Sequence, residues 1–221
     1  VALAAYKMEM EFSEIYEENG QKFNMCKLLS GSEGTLAFTT ESVLQLEELQ
    51  PEHTSMVAAH FGSIDSCMQA VVPAMKHPLY TCEMMDKVIL DCTKQNLKYR
   101  ENRFFIEGDP QAILMLELRS NAAEELQQQT KQLLETLEKS GLAYALPVLY
   151  DEQIDLALEL RKAGLGLLGN IVGDKKAVAC IEDTAVALPV LADYIAEFGQ
   201  IMKKYGQDAV YYAHAGAGEI H

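Results

Sequence analysis

The sequence predicts an α+β fold: a ferredoxin-like antiparallel sheet with helices on one face, followed by a C-terminal βαβ extension. Three observations lead there. From His53 to Leu149 the apolar patterning runs strand, helix, strand, strand, helix, strand, the split βαβ order of that sandwich. Beyond Leu149 the alternation continues through two more helices and two more strands. Before His53 the composition differs: through His60 the chain holds 10 Glu and 3 Lys but no Asp or Arg. Pro51 closes that stretch, so a short first unit (1–50) is expected ahead of the main one (51–221).

Each element has a local reason. Residues 1–12 read as a strand, 13–22 as a loop turning at Asn19-Gly20, and 26–40 as a glycine-punctuated turn feeding an extended stretch. Residues 54–61 form a strand. Residues 63–76 form a helix with Ile64, Met68, Val71, Val72 and Met75 on one face, closed by Pro78. Residues 79–85 return as a strand, and 86–96 insert a weaker helix. Residues 103–107 and 112–119 flank Gly108-Asp109-Pro110 as a hairpin or a broken strand. Asn121 and Glu124 have capping-box spacing and open a helix through Lys139, with Leu126, Leu133, Leu134 and Leu137 inward and Gly141 as its stop. Residues 142–149 are a strand. Residues 151–168 form a helix with Ile154, Leu158, Leu165 and Leu168 inward. After a loop, 177–181 is a strand, Pro189 opens a helix through Lys204, and 209–213 is the last strand.

Composition limits the function. The chain has 221 residues, 49% of them apolar, enough for a packed core. Lys and Arg number 18 against 33 Asp and Glu, a formal charge of −15, which repels phosphate backbones and anionic lipid. No apolar run approaches the roughly 20 residues of a membrane-spanning helix. Residues 1–10 lack the basic start and apolar core of a signal peptide. The five cysteines show no CxxC spacing and read as reduced thiols of a cytoplasmic protein. The chain opens on Val1 and stops at His221 inside a glycine-rich turn, the pattern expected of part of a longer polypeptide.

Four segments can carry chemistry. His214 and His221 flank a turn holding Gly216 and Gly218, so a hairpin brings both imidazoles to one sheet end. That suits a zinc-like divalent metal, or simply two polar strand ends. Gly31, Ser32, Glu33, Gly34 and Thr35 form a turn whose backbone N–H groups can face an anion or a flavin edge, or an ordinary tight turn. Glu182 and Asp183 end a predicted strand, facing a cleft or serving as loop acids. Arg161 can clamp a carboxylate or lie as an exposed helix charge.

Three segments taken in order resemble one family. Leu28-Leu-Ser-Gly-Ser-Glu-Gly-Thr-Leu-Ala-Phe-Thr-Thr-Glu41 resembles the end of the FAD-binding domain in vanillyl-alcohol-oxidase-type flavoproteins. Leu160-Arg-Lys-Ala-Gly164 and Cys180-Ile-Glu-Asp-Thr-Ala-Val186 resemble their substrate-side domain. His214-Ala-Gly-Ala-Gly-Glu-Ile-His221 is similar to the family's His-x-Gly-Asp-Gly-Asn-x-His signature. The likeness is to the D-lactate dehydrogenase and glycolate oxidase branch, the FAD-linked oxidase C-terminal family. It implies oxidation of a small 2-hydroxy acid, of the D-lactate, glycolate or D-2-hydroxyglutarate type, to the 2-oxo acid, with hydride passing to FAD.

By the same resemblance, His214 and His221 bind a divalent metal, Arg161 holds the substrate carboxylate, and Gly31 to Thr35 line the flavin. Residues 1–50 are then the C-terminal part of the FAD-binding domain. The flavin's pyrophosphate site is expected before Val1, and a third metal ligand and a catalytic histidine after His221. An iron–sulfur cluster is expected only outside this segment, and a homodimer is compatible with the family. Ala217 and Glu219 depart from the family's Asp and Asn. The competing reading is a non-enzymatic ferredoxin-like module that binds a small molecule.

Overall fold

The computed structural model describes residues 17–18, 21–22, 25–30, 32–43, 46, 49–94, 96–171, 173–174, 176–181 and 184–221. The expected strand at 1–12, the Asn19-Gly20 turn and the Glu182-Asp183 pair lie outside them. The chain divides into two units, residues 1–49 and 50–221.

In the first unit, β1 (Glu17–Glu18) pairs antiparallel with β2 (Gln21–Lys22). A short helix α1 (Met25–Ser30) follows, then the turn through Thr35. Residues 36–43 carry no regular secondary structure.

The second unit is mixed helix and strand around one antiparallel sheet. Its elements are β3 (His53–Phe61), α2 (Ile64–Ala74), β4 (Leu79–Asp86), α3 (Lys87–Lys94), β5 (Ala112–Ser120), α4 (Ala123–Ser140), β6 (Ala143–Ala145), β7 (Val148–Tyr150), α5 (Glu152–Leu167), β8 (Thr184–Ala185), α6 (Leu191–Lys204), β9 (Tyr212–His214) and β10 (Glu219–Ile220). The strand order is β6-β3-β5-β4-β9-β10-β8, with β7 also on β3.

Helices cover both faces, which corrects the expectation of helices on one face: α2 and α4 share a face with a third helix, α6, and α3 and α5 lie on the other. On that side Val57, Ala59, Phe61, Leu114 and Leu116 pack against Val71, Leu126, Leu133 and Leu137, and α6 joins through Leu191 and Ile195. On the opposite side Met56, Ala58, Ile113 and Met115 pack against α3 and α5 through Ile89, Leu90, Ile154, Ala157 and Leu160. The cause lies in the central strands. Every residue of β3 from Ser55 to Phe61 is buried, as is nearly all of β5. A strand buried on both faces reads as a continuous apolar run rather than an alternation.

Several local expectations are corrected. Residues 104–107 form no strand; a 3-10 turn (Glu101–Arg103) precedes them and sends Phe105 into the core. The capping box is displaced: Ala122 is the N-cap of α4, Ser120 Oγ accepts from the Ala122 N–H at 3.1 Å, and it donates to Glu125 Oε2 at 2.5 Å. The strand at 142–149 is broken into β6 and β7, and the Pro147 carbonyl between them accepts from the Ala58 N–H. Residues 177–181 form no strand, and β9 begins at Tyr212. The C-terminal part is therefore not a simple βαβ unit, because the hairpin strand β10 stands between β8 and β9. No disulfide joins the five cysteines. Among the described residues, no helix is long and apolar enough to cross a membrane.

Helices α3 and α5 approach closely at Gly164, where an added Cβ would lie 2.3 Å from Ile89 Cγ2. That branch is stiff. Gly164→Ala is therefore expected to lower stability in urea unfolding by about 1–3 kcal/mol despite alanine's better helix propensity. Pairing it with Ile89→Leu, which removes the Cγ2 branch, is expected to restore most of the loss.

Asp86, at the end of β4, is nearly buried; its Oδ1 accepts from the Ile89 N–H at 3.0 Å and its Oδ2 from the Tyr211 N–H at 2.8 Å. Burial pushes its carboxyl up to about 6 from 3.8, against the pull of these backbone donors. A carboxyl that holds its proton more tightly when folded contributes most below its unfolded value, and stability falls as pH rises from there to about 6. A shift of this size corresponds to on the order of 3 kcal/mol. Urea midpoints across that window are expected to fall in the parent, and Asp86→Asn to remove this part of the decline.

Candidate functional site

The site lies where β4, β9 and β10 meet α5. Ladder parity builds it. Glu219 pairs with His214, and the His221 N–H donates to the Tyr212 carbonyl at 2.7 Å while its carbonyl accepts from the Tyr212 N–H. Residues opposite one another, or two apart on a strand, share a face. Tyr212, His214, Glu219 and His221 therefore project together. Met84 and Met85 pair with Ala213 and Tyr212, which continues to Glu83 beside His214 on that same face.

The hairpin needs glycine at one point. Gly218 has φ 72, and a Cβ there would lie 2.1 Å from the Val186 carbonyl oxygen. The Gly218 carbonyl accepts from the Val186 N–H at 3.0 Å, tying β10 to β8.

Arg161 arrives from α5 and is buried, 8% exposed, so it is not a surface helix charge. Its Nη2 pairs with Glu83 Oε2 and lies 3.5 Å from the Ala213 carbonyl. The guanidinium carbon stands 4.2 Å from the Tyr212 ring centroid, a cation–π contact. Its Nε is buried without a hydrogen-bond partner among the described residues. Burial pushes the Tyr212 phenol above its usual range, with Arg161 opposing that and Glu83 reinforcing it.

Glu83 also receives His214: Nδ1 lies 2.9 Å from Oε2 and 3.1 Å from Oε1. A carboxylate accepts, so Nδ1 carries the proton and Nε2 is left as an acceptor. The His214 and His221 rings meet edge to face with centroids 5.5 Å apart. His221 Nε2 lies 3.9 Å from Glu219 Oε1.

The structure thus brings His214, His221 and Arg161 together, and adds Glu83, Tyr212 and Glu219. Among the described residues, no group of three His, Cys, Asp or Glu side chains is placed to hold an ion. His214 Nδ1 is committed to Glu83. Of the glycine turn in the first unit, Gly31 lies outside the described residues. Ser32 to Thr35 form a turn in which Thr35 N–H donates to the Ser32 carbonyl at 2.9 Å. Glu33 has φ 50 and Gly34 φ 74.

Glu83 carried a sequence signal: an acid between Cys82 and Met84 in an apolar strand must find a partner once that strand is covered.

An α+β unit thus gathers a buried Arg161 with the partly buried Glu83, His214 and His221 on one sheet face. Residues 50–221 match the family model for FAD linked oxidases, C-terminal domain, and the chain belongs to that family. Its relatives include the D-2-hydroxyglutarate dehydrogenase of Haemophilus influenzae, 28% identical over 221 residues, covering 96% of this chain and 21% of that protein. The glycolate oxidase subunit GlcD of Bacillus subtilis is 26% identical over 202 residues, covering 90% of this chain and 40% of that protein. The D-lactate dehydrogenase of Archaeoglobus fulgidus is 25% identical over 205 residues, covering 92% and 42%. The chain spans about a fifth of the length of the D-2-hydroxyglutarate dehydrogenases it matches.

Removing Glu83 leaves a buried guanidinium without its counter-charge. Glu83→Ala is expected to cost about 3–5 kcal/mol in urea unfolding. Adding Arg161→Met should recover most of it. In nitrogen-15 spectra, Glu83→Ala/Arg161→Met is expected to shift His214 away from the Nδ1–H tautomer that the parent shows.

Proposed function

We propose that this chain is the substrate-handling part of an FAD-dependent oxidoreductase that converts a small 2-hydroxy acid to its 2-oxo acid. The observation carrying this reading is the buried Arg161, whose Nε lacks an acceptor while its Nη2 is anchored on Glu83. A substrate carboxylate would supply that acceptor, and the guanidinium fork would fix its plane. Tyr212, stacked on the guanidinium, keeps the fork from turning.

The substrate hydroxyl then falls to the histidines. With Nδ1–H donated to Glu83, His214 presents Nε2 as the base that takes the hydroxyl proton. Glu83 holds the tautomer and balances the imidazolium that forms, so one carboxylate serves both the binding cation and the base. His221, edge-on to His214, limits how far that ring can rotate.

FAD, when bound, supplies the hydride acceptor. Residues 1–50 are proposed as the C-terminal part of its binding domain, with Ser32, Glu33, Gly34 and Thr35 against the flavin. The turn fits such a contact on one count: nothing lies within 4 Å of where a Gly34 Cβ would stand, so a flat ring can approach the backbone. Ser32 Oγ and Thr35 Oγ1 donate to the Leu29 and Ser32 carbonyls, which leaves shape and backbone as the contact there.

Titration calorimetry of the chain with D-lactate tests this reading. Binding is expected in the parent, and Arg161→Gln is expected to weaken it by roughly tenfold or more, the worth of a charge-assisted hydrogen bond. Equal affinity in parent and variant would remove Arg161 from the site.

A further inference from the structure

A cavity of about 540 Å³ opens beside the histidine hairpin. Tyr212 and His221 belong to both: they line the cavity and stand in the Arg161–His214 cluster. A ligand whose carboxylate sits at Arg161 would therefore border this cavity across Tyr212 and His221.

Most of that wall is apolar, with Thr184, Gln207 and His221 among its polar residues. Helix α6 contributes Tyr194, Ile195, Phe198 and Met202; Val210 and Ile220 come from the approach to β9 and from β10. Phe198 stands edge-to-face on Tyr211, centroids 6.0 Å apart, which fixes the aromatic side of the wall. Among the described lining residues, the fixed charges are Lys176 and Asp208. They are opposite in sign, and Lys176 Nζ already donates to the Ile171 carbonyl at 2.5 Å.

We propose that this cavity takes the side chain of the substrate, and that the side chain is apolar: a branched aliphatic or aromatic 2-hydroxy acid rather than a dicarboxylic one. The inference rests on the placement of the carboxylate at Arg161 given above. A second carboxylate entering the cavity would lose its hydration among Phe198, Met202 and Val210, and it would meet Asp208 as well as an already engaged ammonium. Burying an ion without a partner is strongly unfavourable. An isobutyl or benzyl group would instead exchange water for an apolar, aromatic lining. The volume is that of an ordinary small-molecule pocket, far more than a one-carbon side chain fills. The prediction runs against the name borne by the D-2-hydroxyglutarate dehydrogenase relatives, which makes it discriminating.

The test is equilibrium binding of three probes to the 221-residue chain: D-2-hydroxyisocaproate, D-lactate and D-2-hydroxyglutarate. The expected order is isocaproate tightest, by roughly tenfold or more over lactate, as buried methylenes in an apolar pocket give. Hydroxyglutarate is expected to be weakest. Met202→Lys places a cation in the wall and is expected to reverse the order of the two larger acids, a gain that a misfolded variant cannot show. Phe198→Ala should weaken isocaproate while leaving lactate within twofold.

Hydroxyglutarate binding as tightly as isocaproate in the parent, with both lost in Arg161→Gln, would overturn the apolar side-chain proposal and leave the carboxylate site standing. Binding of all three acids unchanged in Arg161→Gln, or no binding of any, would overturn the carboxylate site and the side-chain proposal with it.

Discussion

The largely buried carboxylate of Glu83 is the constraint on which the site turns. It sits on a sheet face covered by helices, where an unshared charge is costly. Two donors from separate elements converge on it: Arg161 from α5 and His214 from β9. A buried ion pair of this kind is a poor source of net stability, since apolar residues of similar volume often do as well. Its effect is positional. The pair fixes the guanidinium plane against Tyr212 and fixes the proton on one imidazole nitrogen, so geometry in three elements depends on a single carboxylate.

The rest of the unit is arranged so that this carboxylate can be buried at all. Strands β3 and β5 are buried on both faces and hold two helix layers apart. The layer of α3 and α5 is drawn close at Ile89 and Gly164. Arg161 lies one turn before that crossing, on the same side of α5. A looser helix would leave the guanidinium wet, and solvent would then compete for the donors that the proposed substrate contact uses.

This division explains what the sequence revealed. The order of elements from His53 to Leu149 was legible because α2 and α4 carry ordinary apolar stripes, with Leu126, Leu133 and Leu137 buried where their spacing places them. The second helix layer was less so. The buried face of α5 is Ile154, Ala157, Leu160, Arg161 and Gly164. Close packing selects small residues, so counting large apolar side chains points to Leu158 and Leu168, which are only partly buried. Arg161 and the two histidines were visible as residue types at suggestive positions. Glu83 was not singled out, because its role depends on strand register and on a helix 78 residues further along the chain.

The same register bears on how an anion can enter so acidic a protein. The hairpin sets Glu219 opposite His214, beside Glu83 on the same face, and Arg161 offsets only one of these carboxylates. With a chain charge of −15, no broad positive field draws a carboxylate inward. On the proposed reading, affinity would then come from aimed donors at short range: the unsatisfied Nε of Arg161, held still by Glu83 and Tyr212. Such donors reward a carboxylate in one place and offer nothing to a second one elsewhere. On the proposed reading, an acidic shell around one buried guanidinium would itself favour acids that carry a single negative charge.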